Sequence, residues 1–411
     1  MSEDQGQAPQ PSTADPRAAA VAAAGAQPAP RILVVGASGY VGGRLVDYLA
    51  ARGGRPVVAG RDPQVLAGRW PALEARRLDL DDSASMPGAV AGIDIVVYLT
   101  HSMDGRGDFV VREARAAETF GAAARAAGVR QIIYLGGLGD PDSGLSDHLA
   151  SRQRTGGLLG AAGVPVTEFR AAIVIGSGSA SFEILRHLVE RLPVMITPRW
   201  VRTRCQPIAV EDVLAYLVAA IAHPEVTGIV EIGGTDVLSY GAMMQGYARR
   251  RGLRRWMIPV PVLTPRLSSY WVHLVSPVPA GLAGPLIEGL RHEVVVRDPA
   301  PAGRLGVEPH GYAWALDRAL DRSSGVPTAW FDAARRPRNA LAGTEGMYID
   351  RRELHVDAPP AAVFERIQHI GGSAHWPSAN ALWIARGWLD TLMGGPGMRR
   401  DRKSTRLNSS H

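Results

Sequence analysis

The chain has 411 residues, 46% hydrophobic and 20% charged, with 47 Gly and 30 Pro, which excludes disorder throughout and allows two globular domains with tails. Its most apolar stretch, Trp256 to Leu290, is broken by Arg266, His273, Glu288 and several prolines, so no membrane-spanning helix is predicted. The formal net charge is +6, and all but one of the 45 basic residues are arginine, the exception being Lys403.

No Schiff-base or general-base lysine can therefore lie upstream of position 403. The arginine-rich, lysine-poor usage reads as a GC-rich genome rather than a nucleic-acid groove, and no nucleic-acid partner is expected. The one dense cluster, Arg249, Arg250, Arg251, Arg254 and Arg255, reads as a solvated helix end, with phosphate or membrane contact as the alternative. The single cysteine, Cys205, excludes an intrachain disulfide framework and a cysteine-based zinc site and fits a reducing compartment. No metal-ligand spacing such as H-E-x-x-H is present, so no metal is expected. A cytoplasmic location is expected.

In chain order, Met1 to Pro30 is rich in Ala, Pro, Gln and Ser and offers no large apolar core, so it reads as a flexible tail. Glu3 and Asp4 precede only a weakly hydrophobic run, unlike a secretory signal. From Arg31, strands alternate with helices. The strands are expected at Ile32 to Val35, Val57 to Ala59, Arg76 to Leu80, Ile93 to Leu99, Gln131 to Leu135 and Val166 to Arg170, which argues for a parallel sheet covered on both faces.

In the first helix, Val41, Leu45 and Leu49 share one face while Arg44, Asp47 and Arg52 can point outward. Further helices are expected at Asp108 to Ala127, Asp147 to Ala162 and Val210 to Ala222, and a late strand, Ile229 to Ile232, returns to the sheet. Residues 179–205 and 235–341 read as a smaller, substrate-side lobe of Pro-broken helices and extended pieces such as Glu293 to Arg297. The expected fold class is thus α/β, a doubly wound parallel sheet with its core at about 31–178 and 206–234. Beyond Gly346 a strand (Met347 to Val356) and helices (Pro359 to Ile370, Trp376 to Leu392) are expected.

The strand Ile32 to Val35 runs into Gly36-Ala-Ser38-Gly39-Tyr40-Val41-Gly42 and then an amphipathic helix. There the first glycine allows the sharp turn, the second lets backbone approach a pyrophosphate, and the third permits close helix packing. The helix N-terminus then offers oriented N–H groups to the anion. After the second strand come Arg61 and then Asp62: an arginine suits a 2′-phosphate, so NADP is expected, while Asp62 on a ribose hydroxyl would select NAD. Asp79 and Leu80 are positioned to meet the adenine. Leu99, Thr100, His101 and Ser102 after the fourth strand, and Gly136 and Gly137 after the fifth, should border the nicotinamide.

The GASGYVGG junction, Arg61, VVYLTHSM, IIYLGGLGD and RCQPIAVEDV resemble the atypical short-chain dehydrogenase/reductases. Within them the chain looks like the NmrA-like branch, related also to the nucleotide-binding accessory subunit of respiratory complex I. The resemblance covers about Arg31 to Leu341 and implies a Rossmann fold and NAD(P) binding. Relatives that transfer hydride use Tyr-x-x-x-Lys on the helix after the fifth strand, with a Ser or Thr at that strand's end. Here the matching helix begins Asp147-His148-Leu-Ala-Ser-Arg152: His148 and Arg152 have the spacing of that pair, and Gly137 stands near the serine's place.

The pair admits two readings. In one, His148 donates the proton and Arg152 holds the ribose or phosphate, as befits an oxidoreductase on an apolar carbonyl or quinone-like molecule. His101 and Ser102 are weaker candidates. In the other, both residues only border a nucleotide that is held and not turned over, as in a redox sensor or assembly protein reporting to a protein partner. The apolar substrate is motivated by Trp256, Leu263 and Trp271 in the lobe. Residues 347–400, with VDAPPAAVFERI and GWLDTLMGGPGMRR, look like the opening of a helix-grip, START-like domain. Asp401 to His411 resembles read-through of a sequencing adapter and is set aside.

Overall fold

The computed structural model describes residues 29–100, 109–260, 289–321, 339–344 and 347–352, with the single positions 359, 384 and 388. The expected tail up to residue 28, His101 and Ser102, Leu263 and Trp271 of the lobe, both helices expected after Pro359 apart from positions 359, 384 and 388, and the final eleven residues lie outside the described residues. The chain divides into two compact units, Met1–Pro337 with Leu341–Asp350, and Arg338–Ala340 with Arg351–His411. The first unit carries the central sheet and the lobe.

Ile32–Val35 (β1) leads into Tyr40–Ala50 (α1), followed by Val57–Gly60 (β2), Pro63–Arg69 (α2), Ala75–Arg77 (β3), Met86–Val90 (α3) and Ile95–Tyr98 (β4). The second half runs through Phe109–Ala126 (α4), Gln131–Gly137 (β5), Asp147–Gly160 (α5), Val166–Ala171 (β6) and Val174–Ile175 (β7). Ala180–Arg191 (α6), Val194–Thr197 (β8), Arg204–Cys205 (β9), Ile208–Ala209 (β10), Val210–Ala222 (α7) and Gly228–Ile232 (β11) come next. Leu238–Ser239 (β12), Tyr240–Arg250 (α8), Trp256–Pro259 (β13) and Tyr312–Asp321 (α9) complete the lobe, and Asn339–Thr344 (β14) pairs with Met347–Arg352 (β15). The β14 strand was not foreseen in the sequence.

Seven strands form one sheet in the order β11-β6-β5-β4-β1-β2-β3, every pair parallel. The strands read as near-continuous β-branched runs because both faces are covered: Val34, Val58, Val97 and Ile133 join the core on one face, Leu33, Val57, Val96 and Ile132 the other. The order in which strands are added reverses between β1 and β4, so a crevice is expected at their carboxyl ends, where doubly wound sheets bind ligands.

The buried face of α1 differs from the expected stripe. Gly42, Gly43, Leu45 and Val46 are buried, because the two glycines bring helix backbone close to its neighbours, and Val41 and Leu49 pack only partly against the core. A third cluster forms the lobe: Phe182, Leu185, Met195, Cys205, Tyr240, Met243, Tyr247 and Leu316. Its strands pair as β7 with β10, β8 with β13, and β9 with β12. The extended piece at Glu293 to Arg297 reduces to one bridge, Val294 to Cys205.

Candidate functional site

The glycine turn sits at the crevice. Gly36 has φ +83°, a left-handed conformation that costs glycine nothing, and Gly39 N–H donates to the Gly36 carbonyl at 2.9 Å. A Cβ on Gly42 would stand 2.1 Å from the Gly36 oxygen, so helix and turn touch backbone to backbone. The N-cap of α1 is Gly39; no side chain caps it and the first turn holds no acidic residue. Its N–H groups and partial positive charge are thus left for an anion. Ser38, Gly39 and Tyr40 are half-buried around this opening.

Residues from distant strands close on the turn. Thr100 lies against Gly36, its Oγ1 3.1 Å from where a Cβ would stand, and that oxygen is buried with no hydrogen-bond partner among the described residues. A buried hydroxyl left open beside an uncapped helix end fits a polar ligand such as a dinucleotide. Leu99 N–H pairs with the Val35 carbonyl at 3.0 Å. Arg44, expected outward, instead donates to the Ser177 carbonyl at 2.6 Å with its guanidinium 4.0 Å over the Tyr40 ring. Gly176 leaves room for the Tyr40 hydroxyl, 2.3 Å from its would-be Cβ. Arg44, Gly176 and Ser177 were missed because 133 positions separate the arginine from its partner, and no local pattern signals that contact.

At the end of β2, Arg61 is exposed, whereas the Asp62 carboxylate accepts from the N–H groups of Gln64 and Val65 at 2.9 and 3.4 Å as the N-cap of α2. Asp79 is held by Ser85, whose Oγ accepts from Asp79 N–H at 2.9 Å, and Leu80 packs at the edge of the second core.

Under α5 lies a buried polar layer. Glu168 and Arg170, two apart on β6 and hence on one face, pair at 2.6 Å. Burial pushes the Glu168 carboxyl up, against the pull of Arg170 and Arg152. Its oxygen stands 2.1 Å from a Cβ placed on Gly156, so α5 can lie on this layer only with glycine there. The Tyr134 hydroxyl donates to the Arg152 carbonyl at 3.0 Å, and the Arg152 guanidinium donates to the Leu135 carbonyl at 2.8 Å. Its Nε is buried with no hydrogen-bond partner among the described residues.

His148, one turn before Arg152, is buried, 8% exposed. Burial, then the Arg152 charge, pushes its imidazole down to about 4, so it is neutral near pH 7. Gly136 and Gly137 are buried at the end of β5, and the space of a Gly137 side chain is taken by Leu149 and Arg152. The sequence-expected residues on β1, α1, β4, β5 and α5 therefore converge on the carboxyl edge. Among the described residues no group of three or more His, Cys, Asp or Glu is placed to hold a metal, and no helix is long and apolar enough to cross a membrane.

Comparison with known proteins agrees with this fold. The NAD(P)H-binding family pattern matches residues 36–158, from the first glycine into the last turn of α5. A ceramide reductase of Caulobacter vibrioides is 30% identical over 239 residues, 56% of this chain and 73% of that protein. Among solved structures, a nucleoside-diphosphate-sugar epimerase from Staphylococcus aureus aligns with TM-score 0.57 at 18% identity, over 70% of this chain and 99% of its own. The triphenylmethane reductase of Citrobacter sp., solved with NADP(H), aligns with TM-score 0.56 at 16% identity, over 71% of this chain and all of its own. The fold is theirs, and by sequence and fold together the chain belongs to the NAD(P)H-binding, reductase-like family.

Proposed function

We propose that the chain is an NADP(H)-dependent reductase of an apolar carbonyl or quinone-like small molecule, of the NmrA-like kind. The observation that carries the cofactor choice is the pair after β2. Asp62 is occupied in capping α2 and is poorly placed to grip a ribose hydroxyl, which leaves Arg61 as the group for a 2′-phosphate. The uncapped α1 end would take the pyrophosphate, with Gly36, Ser38, Gly39, Tyr40, Val41 and Gly42 around it. Asp79 and Leu80 would border the adenine, and Leu99, Thr100, Gly136 and Gly137 the nicotinamide.

Bound there, the nicotinamide supplies a hydride. His148, kept neutral by burial, would hydrogen-bond the substrate oxygen through an imidazole N–H while hydride reaches the carbonyl carbon, and a water would supply the proton that completes the alcohol. Arg152, anchored at Leu135, would hold the positive field beside it. The reduction of a ceramide named for the Caulobacter relative supports an apolar substrate.

A second reading, a nucleotide held without turnover, is favoured by the missing Tyr-x-x-x-Lys pair and by Arg152 being committed to a backbone carbonyl. Titration of NADPH and NADH, with Arg61→Ala beside the parent, tests the cofactor. A charge-assisted contact of roughly 1.5–3 kcal/mol gives the parent a tenfold to hundredfold preference for NADPH that the variant loses. Equal affinities in the parent overturn the assignment. NADPH oxidation with quinones and long-chain carbonyls then separates a reductase from a sensor.

A further inference from the structure

The β8–β13 pair has one satisfied face and one that is not. Met195 is buried in the lobe core and Met257 packs against it. On the opposite face Trp256 stands across from Val194 and Ile258 across from Ile196. These four are 72%, 48%, 51% and 60% exposed. A half-buried strand normally alternates apolar inward with polar outward, so four adjacent apolar side chains on the open face call for an occupant.

The chain that enters this pair, and the helix ends joined to it, are cationic. Helix α6 ends in Arg191 and α8 in Arg249 and Arg250, followed by Arg251, Arg254 and Arg255. The two helix ends meet here: the Arg255 guanidinium donates to the carbonyls of Val189 and Glu190, and the Trp256 N–H donates to the Pro193 carbonyl at 3.0 Å. Glu190 pairs with Arg251 and Asp317 with Arg250, while Arg249 and Arg254 are exposed. Among the described residues, Glu190 and Asp317 thus answer two of these arginines, and Arg249 and Arg254 keep their charge at the surface.

We propose that the open face of the β8–β13 pair is a membrane-docking surface that seats on a bilayer carrying anionic lipids. Trp and branched aliphatic side chains would enter the headgroup boundary, where an indole is at home, and these arginines would meet lipid phosphates. A second copy of the chain fits less well. A two-fold contact through this face would bring the same arginines against each other, with like charges opposed. The docking needs no transmembrane segment, and it stands whether or not the nucleotide is turned over.

The test floats the full chain with vesicles of phosphatidylcholine alone and of equal parts phosphatidylcholine and phosphatidylglycerol. The parent is expected to float with the anionic vesicles, to be released by salt, and to stay behind with the neutral ones. The double variant Trp256→Ser, Ile258→Ser and the double variant Arg249→Glu, Arg254→Glu should each partition roughly tenfold or more weakly, with NADPH binding unchanged. Quenching of tryptophan fluorescence by brominated lipid should fall in Trp256→Phe, a variant that alters little else. A folded parent that does not float, or variants that float as the parent does, overturns the proposal. A parent that sediments as a dimer without lipid and becomes monomeric in the Trp256, Ile258 variant also overturns it, and assigns the face to self-association.

Discussion

Gly42 shows how much of a turn can rest on a single hydrogen in place of a side chain. A Cβ there would stand 2.1 Å from the Gly36 oxygen and 2.8 Å from its carbonyl carbon, and backbone on both sides leaves nothing flexible to yield. Gly42→Ala is expected to destabilise the fold by about 1–3 kcal/mol and to weaken nucleotide binding at least tenfold, measured by denaturant unfolding and titration.

His148 makes a different kind of prediction. Its folded value of about 4 lies below the roughly 6.5 of a free histidine, so the unfolded chain takes up a proton first as pH falls. The contribution is whole above about pH 6.5 and lost progressively toward pH 4, of order 3 kcal/mol at most. His148→Asn should flatten that part of the stability–pH curve relative to the parent, and an unchanged slope would show the imidazole to be solvated. Where a reductase activity exists, His148→Phe should lower it by roughly 10² or more with NADPH binding kept.

At the scale of elements, α4 and α5 support each other. A Cβ on Gly121 would come within 2.6 Å of the Leu159 carbonyl oxygen, and the Ser151 hydroxyl donates to the buried Glu113 carboxylate at 2.5 Å. Because α5 carries His148 and Arg152, Gly121→Leu should act on turnover from a distance. It is expected to cost about 1–3 kcal/mol of stability and to lower any reductase rate more than NADPH affinity, the glycine turn being on another element. A rate that survives while stability falls would show that α5 does not position catalytic groups.

The helices themselves were legible. The stretch expected at Asp108 to Ala127 is helical over Phe109–Ala126, and α7 has the expected limits, since long apolar periods bounded by turn residues fix helices locally. The third strand, expected over Arg76 to Leu80, is only Ala75–Arg77. As an edge strand it pairs on one side alone, so its length is set by that one neighbour and not by its own residues.

Across the whole molecule, the lobe core encloses Cys205, fully buried beside Tyr240 and Met243. Burial pushes its thiol up to about 11, so almost no nucleophilic thiolate exists at neutral pH. Alkylation of the native protein is therefore expected to be slow, and to rise together with the loss of near-ultraviolet dichroism along a denaturant series. Prompt labelling in native buffer would mean that the lobe opens without the sheet.

The sequence by itself determined the strand–helix alternation, the glycine turn and the arginine after β2. Each of these is written in consecutive residues, by β-branched runs, glycine at a left-handed turn and helical periodicity. Tertiary structure decided the rest. Asp62 is spent on a helix cap, Arg44 turns inward to Ser177, Glu168 and Arg170 form a charged layer under α5, and His148 is neutral because it is buried. The face of β8 and β13 likewise exists only when Val194 meets Trp256 and Ile196 meets Ile258, residues 62 positions apart that share a register. Desolvation and long-range pairing depend on which surfaces meet in space, and no window of neighbouring residues contains that information.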